Sequence, residues 1–282
     1  MATLYLVSTP IGNLEDLSPR AAETLRSVQR ILAEDTRRTR ILTDRVGSSA
    51  SMVSVHQHNE QERATQILAW LEAGEDLALV TDAGTPLVSD PGGRVVTAVV
   101  EAGHTVVPIP GPSAPLAALV ASGLPAERFT FLGFPARKGR KRQADLDRIA
   151  RSEETVVLFE SPQRLVGLLD DLAAACEPER RVSVARELTK VHEEFVRGTL
   201  PEAAAYYREK APRGEVTVVV GPADLAGLET DRTEEAIGLA QALLREDGRP
   251  SGVARELVKR LGLARNEAYR IVHDLEGTAT EE

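Results

Sequence analysis

Short β-branched and aliphatic runs alternate along the chain with segments whose apolar residues recur at helical spacing. Leu4–Thr9, Ile31–Glu34, Met52–His56, Leu77–Thr81 and Thr105–Ile109 predict strands. Pro19–Val28, Thr36–Arg45, Glu62–Ala73 and Gly93–Ala102 predict the helices between them. Ser18 stands where an N-cap belongs and Pro19 at the first helical position, while Thr36 is read as the cap of its helix. Gly74 and Gly103 fall just past helix ends, where a left-handed residue closes the last turn. This alternation predicts an α/β domain with a mostly parallel sheet.

A second α/β set follows. Phe129–Phe134, Thr155–Glu160, Val182–Glu187, Glu194–Gly198 and Glu215–Val220 predict strands, with helices at Gln163–Ala175 and Pro201–Lys210. The last three strands have less helix between them, so this sheet is expected to be mixed. The two sets are expected to meet near Pro112–Pro125. Beyond Gly221-Pro222 the chain turns polar, then shows three short helices at Glu234–Glu246, Gly252–Arg260 and Arg265–Leu275. The last two, joined through Leu261-Gly262-Leu263, have a helix-turn-helix pattern. The expected organisation is an N-terminal α/β domain over 1–112, a second over 113–224 and a three-helix extension over 230–282.

Composition narrows the class. Of 282 residues, 42% are hydrophobic and 27% charged, the balance of a globular protein, and only 4% are aromatic, so the core is expected to be aliphatic. The net charge of -9 counts against a broad nucleic-acid-binding surface and leaves room for a local basic patch. Cys176 is the single cysteine, so no intrachain disulfide forms and a reducing, cytoplasmic setting is expected. The N-terminus lacks a basic signal-peptide region, and no apolar run approaches the roughly 20 residues that cross a bilayer.

Ligands of open α/β sheets gather beyond the C-terminal ends of strands, and five such stretches stand out. Ser8-Thr9-Pro10-Ile11-Gly12-Asn13 is a rigid turn but not a dinucleotide fingerprint. Glu34-Asp35-Thr36-Arg37-Arg38-Thr39-Arg40 crowds cations into a helix's first turn, where the dipole disfavours them; a nearby anion and a solvated surface both account for that. The run from Thr81 to Gly93, with Asp82, Ala83, Gly84, Thr85 and Ser89, has the glycines and prolines that let a ligand approach backbone, and its Asp82 and Asp90 suit ribose hydroxyls or an amino group. Pro108–Ala114 is a site wall or a hinge, with Ser113 capping the next helix. Last come Glu160–Arg164 and Arg186–Lys190, which pair carboxylates with cations, as a site or as structural ion pairs.

Arg137, Lys138, Arg140, Lys141 and Arg142 put five cations in six residues, a density suited to phosphate contacts. His56 and His58 have no third ligand at matching spacing, so no metal site is expected.

Read together, these segments resemble the ribosomal RNA small subunit methyltransferase I family, a branch of the tetrapyrrole methylase superfamily. The resemblance is carried by LYLVSTPIGNLEDLSPRA, AEDTRRTRIL, VHQHNE, LVTDAGTPLVSDPGG, VVPIPGPSA, FLGFPARKGRKR, LFESPQR and ARELTKVHEE, from about Leu4 to Gly221. It implies two αβα domains with S-adenosylmethionine in the cleft between them, a homodimer, and 2′-O-methylation of the cytidine at position 1402 of 16S ribosomal RNA, as naked RNA or in the small ribosomal subunit. It further implies cofactor contacts at Asp82, Ala83, Gly84, Thr85 and Ser89 and at Ser113 and Ala114, with Pro10 beside the donor methyl or the substrate. Gly84-Thr85-Pro86 stands where tetrapyrrole methylases carry Gly-Asp-Pro, which favours the ribosomal branch over a tetrapyrrole substrate. The C-terminal helices also look like this family's small extension.

Methyl transfer from a sulfonium is an in-line displacement that needs no metal. Its demands are alignment and removal of the hydroxyl proton, for which Glu160, Glu187 and Lys190 are the catalytic candidates. Arg37 and Arg38, with the 137–142 run, are the RNA-binding candidates. The competing readings are a methylase of a tetrapyrrole or other small molecule, and an RNA-binding or assembly protein with a vestigial cleft.

Overall fold

The computed structural model describes residues 2–245, 249–261 and 263–279. Its contacts divide into two units, Met1–Ala223 and Asp224–Glu282.

The first unit holds two sheets. One is built from β1 (Thr3–Val7), β2 (Arg30–Ala33), β3 (Ser51–Ser54), β4 (Leu77–Val80) and β5 (Thr105–Ile109) in the order β3-β2-β4-β1-β5, every pair parallel. Both faces are apolar because both are covered. Val7, Ile31, Ala33, Ala78 and Val80 pack against Leu25 of α1 (Pro19–Ser27) and Leu42 of α2 (Thr36–Val46). Leu4, Leu32, Leu77 and Leu79 pack against Ile67 and Leu71 of α3 (Glu60–Glu72) and Val95 and Val99 of α4 (Gly93–Glu101).

Strands β2 and β3 end earlier than expected, leaving Glu34 and His56 in loops. Past Ala33 the Asp35 N–H donates to the Asp82 carboxylate at 3.1 Å rather than to a strand. The cap of α2 is Asp35 and not Thr36: its carboxylate accepts from the Arg37 N–H at 2.9 Å while its backbone is still extended.

The second sheet comprises β6 (Phe129–Gly133), β7 (Thr155–Glu160), β8 (Arg181–Arg186), β9 (Glu194–Thr199) and β10 (Val216–Val220) in the order β6-β7-β10-β8-β9. It is mixed, as expected: β6 and β7 are parallel and the other pairs antiparallel. Side-chain alternation divides its faces. Val156, Leu158, Val182, Val184, Val216 and Val218 meet α6 (Gly139–Ala150), α7 (Pro162–Ala175) and α8 (Leu200–Glu209). Val157, Ala185 and Val219 meet Ala118 and Leu119 of α5 (Ala114–Ser122). Helix α6 has no counterpart among the expected elements, because Leu146 and Ile149 are its only buried residues and its first turn is a run of charge.

The second unit contains α9 (Leu225–Arg245), α10 (Pro250–Leu261) and α11 (Arg265–Ala279), packed through Ala236, Ala240, Val253, Leu257, Ile271 and Val272. Helix α9 starts ahead of the expected Glu234. Glu246, its expected end, and Gly262 of the expected turn lie outside the described residues.

Leu158 is fully buried in the larger core of the second sheet. Leu158→Ala is expected to cost about 2–5 kcal/mol of stability, read as a lowered midpoint in denaturant unfolding with an unchanged m-value.

Candidate active site

Three loops at the C-terminal edge of the first sheet are tied to one another by backbone and threonine hydroxyl bonds. The Thr9 N–H donates to the Gly84 carbonyl at 2.9 Å and the Gly84 N–H returns to the Thr9 carbonyl at 3.0 Å, a two-residue antiparallel bridge between the loops after β1 and β4. The Thr9 hydroxyl donates to the Thr81 carbonyl at 3.2 Å, and the Thr85 hydroxyl to the Pro112 carbonyl at 3.1 Å, which brings in the loop after β5. Gly84 holds φ of 86°, a conformation that glycine adopts without cost, and Leu87 and Ser89 hold positive φ on the same loop. Such strain persists only where surrounding structure imposes it, and it gathers at functional loops.

These loops form one wall of a cavity of about 440 Å³. Ile11, Glu34, Arg38, Asp82 to Thr85, Val88, Ser89, Asp90 and Ser113 to Pro115 line it from the first sheet and α5. Phe134, Phe159 to Pro162 and Gly214 to Thr217 line it from the second. The volume falls within the range of small-molecule sites.

Of the expected cofactor residues, Asp82, Ala83, Gly84, Thr85, Ser89, Ser113 and Ala114 all face this cavity, and Pro10 is outside its lining. Of the catalytic candidates, Glu160 alone lines it. Its side chain is buried; one oxygen pairs with Arg164 and accepts from the Ser161 N–H at 2.7 Å, while Oε2 and the Arg164 Nη1 have no protein partner. Glu187 and Lys190 sit beside the cavity in a turn held by Lys190 Nζ, which reaches Glu187 at 2.9 Å and Glu215 at 3.0 Å. The Lys190 hydrogen bond holds the Glu187 carboxyl below its ordinary range; burial opposes the charge on Lys190, but the two carboxylates outweigh it and raise its pKa. Glu187 and Thr189 also adopt positive φ.

Among the basic candidates, Arg38 reaches the cavity, 3.3 Å from Asp82. Arg37 is engaged by Asp35 at 2.8 Å, and that hydrogen bonding draws the Asp35 carboxyl down to about 2. The anions that offset this crowded first turn are thus the protein's own. Arg137, Lys138, Arg140 and Lys141 are exposed around the start of α6, while Arg142 is half-buried and bonded to Asp171 at 2.6 Å and to the Ala136 carbonyl at 3.3 Å. His56 and His58 have ring centroids 6.0 Å apart, and among the described residues no metal-binding group of His, Cys, Asp or Glu occurs.

The expected site omitted Gly214 to Thr217. They lead into a strand rather than follow one: β10 is antiparallel to β7, so its first residues, not its last, arrive beside the end of β7, where Val216 pairs with Glu160. The signal was Gly214, whose φ of 78° and absent Cβ leave room for the Glu187 carboxylate. Phe134 and Phe159 lie within FLGFPARKGRKR and LFESPQR, but neither is among the expected site residues.

Residues 3–204 match the model of the Tetrapyrrole (Corrin/Porphyrin) Methylases. The chain is 44% identical over 276 residues to the Ribosomal RNA small subunit methyltransferase I of Synechocystis sp., covering 98% of this chain and 99% of the relative. It is 38% identical to the protein of that name from Bacillus subtilis, covering 97% and 94% of the two chains. A Thermus thermophilus uroporphyrin-III C-methyl transferase, solved in complex with S-adenyl homocysteine, shares the fold with a TM-score of 0.57 at 22% identity, over 78% of this chain and 97% of that one. The chain therefore belongs to the tetrapyrrole methylase family, and within it to the ribosomal RNA small subunit methyltransferase I branch.

Three carboxylates crowd one end of the cleft. Burial, then the charges of Asp82 and Asp90, raise the Glu34 pKa; burial raises that of Asp90, and Asp82 adds to it. Asp82→Asn is expected to bring both back toward the ordinary range in an NMR titration. A carboxyl whose pKa is raised on folding contributes its stability below the unfolded pKa and loses it as pH rises through the folded one. Asp90→Asn should therefore raise Tm at neutral pH and leave it nearly unchanged in acid.

Proposed function

We propose that this protein is an S-adenosylmethionine-dependent methyltransferase acting on the 2′-hydroxyl of a cytidine, position 1402, in 16S ribosomal RNA. The observation that carries this reading is the cleft: a cavity of cofactor size, walled by bare backbone and carboxylates, close in sequence to an exposed basic turn.

The residues present suit the cofactor. Gly84 leaves its backbone open to the cavity, Asp82 and Asp90 offer acceptors for ribose hydroxyls or an ammonium, and the orphaned Glu160 Oε2 accepts one further donor. When bound, S-adenosylmethionine supplies an electrophilic methyl on a sulfonium. The chain's own task is to exclude water, orient the ribose and hold the departing proton. Glu160 is assigned that proton: it alone of the three candidates lines the cavity, and its buried Oε2 has no protein partner. The Glu187 carboxyl is held below its ordinary range by Lys190, and a protonated Lys190 accepts nothing. These two are assigned to shaping the turn. Pro10 is assigned to its backing, next to the Thr9 bridge.

The RNA backbone is assigned to Arg137, Lys138, Arg140 and Lys141, with Arg38 at the cleft and Arg37 beside it. In this reading Arg142 braces the turn through Asp171. The protein is further proposed to act in the cytoplasm as a homodimer, for which α5 offers the exposed apolar pair Leu116 and Val120. Among the described residues no helix is long and apolar enough to cross a membrane.

Incubation with labelled S-adenosylmethionine and unmethylated small ribosomal subunits, or a tetrapyrrole precursor, tests the whole reading: label on one cytidine ribose supports it, and label on a ring carbon or none at all refutes it. Arg140→Ala with Lys141→Ala should weaken RNA binding about tenfold, reduce its salt dependence and leave cofactor affinity unchanged; equal loss of both would remove the turn from the RNA path. Gly84→Val combines a disallowed φ with a Cβ 3.4 Å from Ile11, so calorimetry should show cofactor binding abolished in a protein that still unfolds cooperatively.

A further inference from the structure

In a chain with five phenylalanines, three form one ladder at the cleft. Phe131 meets Phe159 edge to face with centroids 5.1 Å apart, and Phe134 lies tilted against Phe159 at 5.3 Å. Phe134 ends the ladder 57% exposed, although it lines the cavity.

Its position is the product of a bulge. Phe131 pairs with Val157 and Gly133 with Leu158, so Leu132 is an extra residue in β6. Side chains alternate along a strand, and one inserted residue reverses the parity of everything after it. In unbroken register Phe134 would stand beside Glu160, on the opposite face from Phe159. The bulge, with Gly133 at φ of 65°, places it on the face of Phe159 instead. Three residues later the exposed cations begin, at Arg137, Lys138, Arg140 and Lys141.

An aromatic face held by a second ring, open to solvent and followed at once by exposed cations, matches an unpaired nucleotide: the base stacks while its phosphates meet the basic turn. We propose that Phe134 is the stacking platform for a nucleobase of the substrate RNA, at or next to the methylated nucleotide, so that the enzyme takes unpaired rather than duplex RNA. This rests on the reading of RNA as substrate. Phe134 is a positioning residue: it orients the ribose over the cleft and transfers no proton.

Phe134→Leu keeps an apolar cover on Phe159 and removes the π face; Phe134→Trp enlarges that face. Binding of a short single-stranded oligoribonucleotide, and of S-adenosylhomocysteine by calorimetry, separates the possibilities. Phe134→Leu should bind the oligonucleotide about tenfold more weakly with cofactor affinity unchanged. Phe134→Trp should bind as well as the wild type, and its added indole emission, above the Trp70 background, should be quenched by the single strand and not by a duplex. Equal RNA affinity for Phe134→Leu and wild type overturns the platform while leaving RNA as the substrate. Parallel loss of cofactor affinity assigns the ring to the cofactor and also overturns it. No RNA binding by the wild type overturns this proposal and the RNA reading together, whereas methylation of a small molecule would remain measurable.

Discussion

The cleft depends on six polar atoms. Thr9 and Gly84 exchange both backbone hydrogen bonds across the gap between the β1 and β4 loops, and Thr85 passes the connection to Pro112. Three loops without regular structure thereby acquire the rigidity of a strand pair, and their unpaired backbone groups are satisfied without burying more chain. The left-handed conformations at Gly84, Leu87 and Ser89 are consequences of that tie, because a chain pinned at Gly84 must turn sharply to reach α4. Specific recognition requires groups that do not rearrange on binding, and here the scaffold fixes them before a ligand arrives.

Charge is organised within the cleft rather than across the surface. Glu34, Asp82 and Asp90 accumulate at one end, where Asp82 raises the cost of ionising Glu34 and Asp90, and Asp90 that of Glu34. Asp82 spends one oxygen on the Asp35 N–H and the other near Arg38, which keeps it oriented. A second set of exposed cations, Arg137, Lys138, Arg140 and Lys141, stands around the start of α6. An acidic protein thus offers a polyanion a small basic landing and a polar, carboxylate-lined interior.

Much of this was legible in the residues. The parallel sheet followed from periodicity, with β5 and β7 expected at their observed limits. Loops rich in glycine, proline and aspartate marked the wall formed by Asp82 to Thr85 and Ser113-Ala114. What stayed hidden was tertiary. Residue spacing does not show which way β10 runs, and that direction alone brings Gly214 to Thr217 to the site. Nor does it show that Leu132 is a bulge. Helix α6 was obscured because charged residues fill its first turn. Among the cations, sequence density treated Arg142 and Arg140 alike, although only Arg142 has Asp171 beside it.

Gly12 carries a consequence for how the molecule is made. Its missing Cβ leaves the space that Thr189 Oγ1 fills 2.8 Å away, and the Asn13 N–H donates to that same hydroxyl at 3.0 Å, across 176 positions of sequence. The Gly12-Asn13 end of this loop is therefore fixed late, since its partner is synthesised 176 positions further on. A first sheet folded alone would already hold this loop at Thr9, with only its Gly12-Asn13 end lacking its partner. Any ligand that needs both walls then stabilises the finished protein and not its early intermediates, so cofactor supply acts on the mature enzyme and leaves the folding pathway to the sheets themselves.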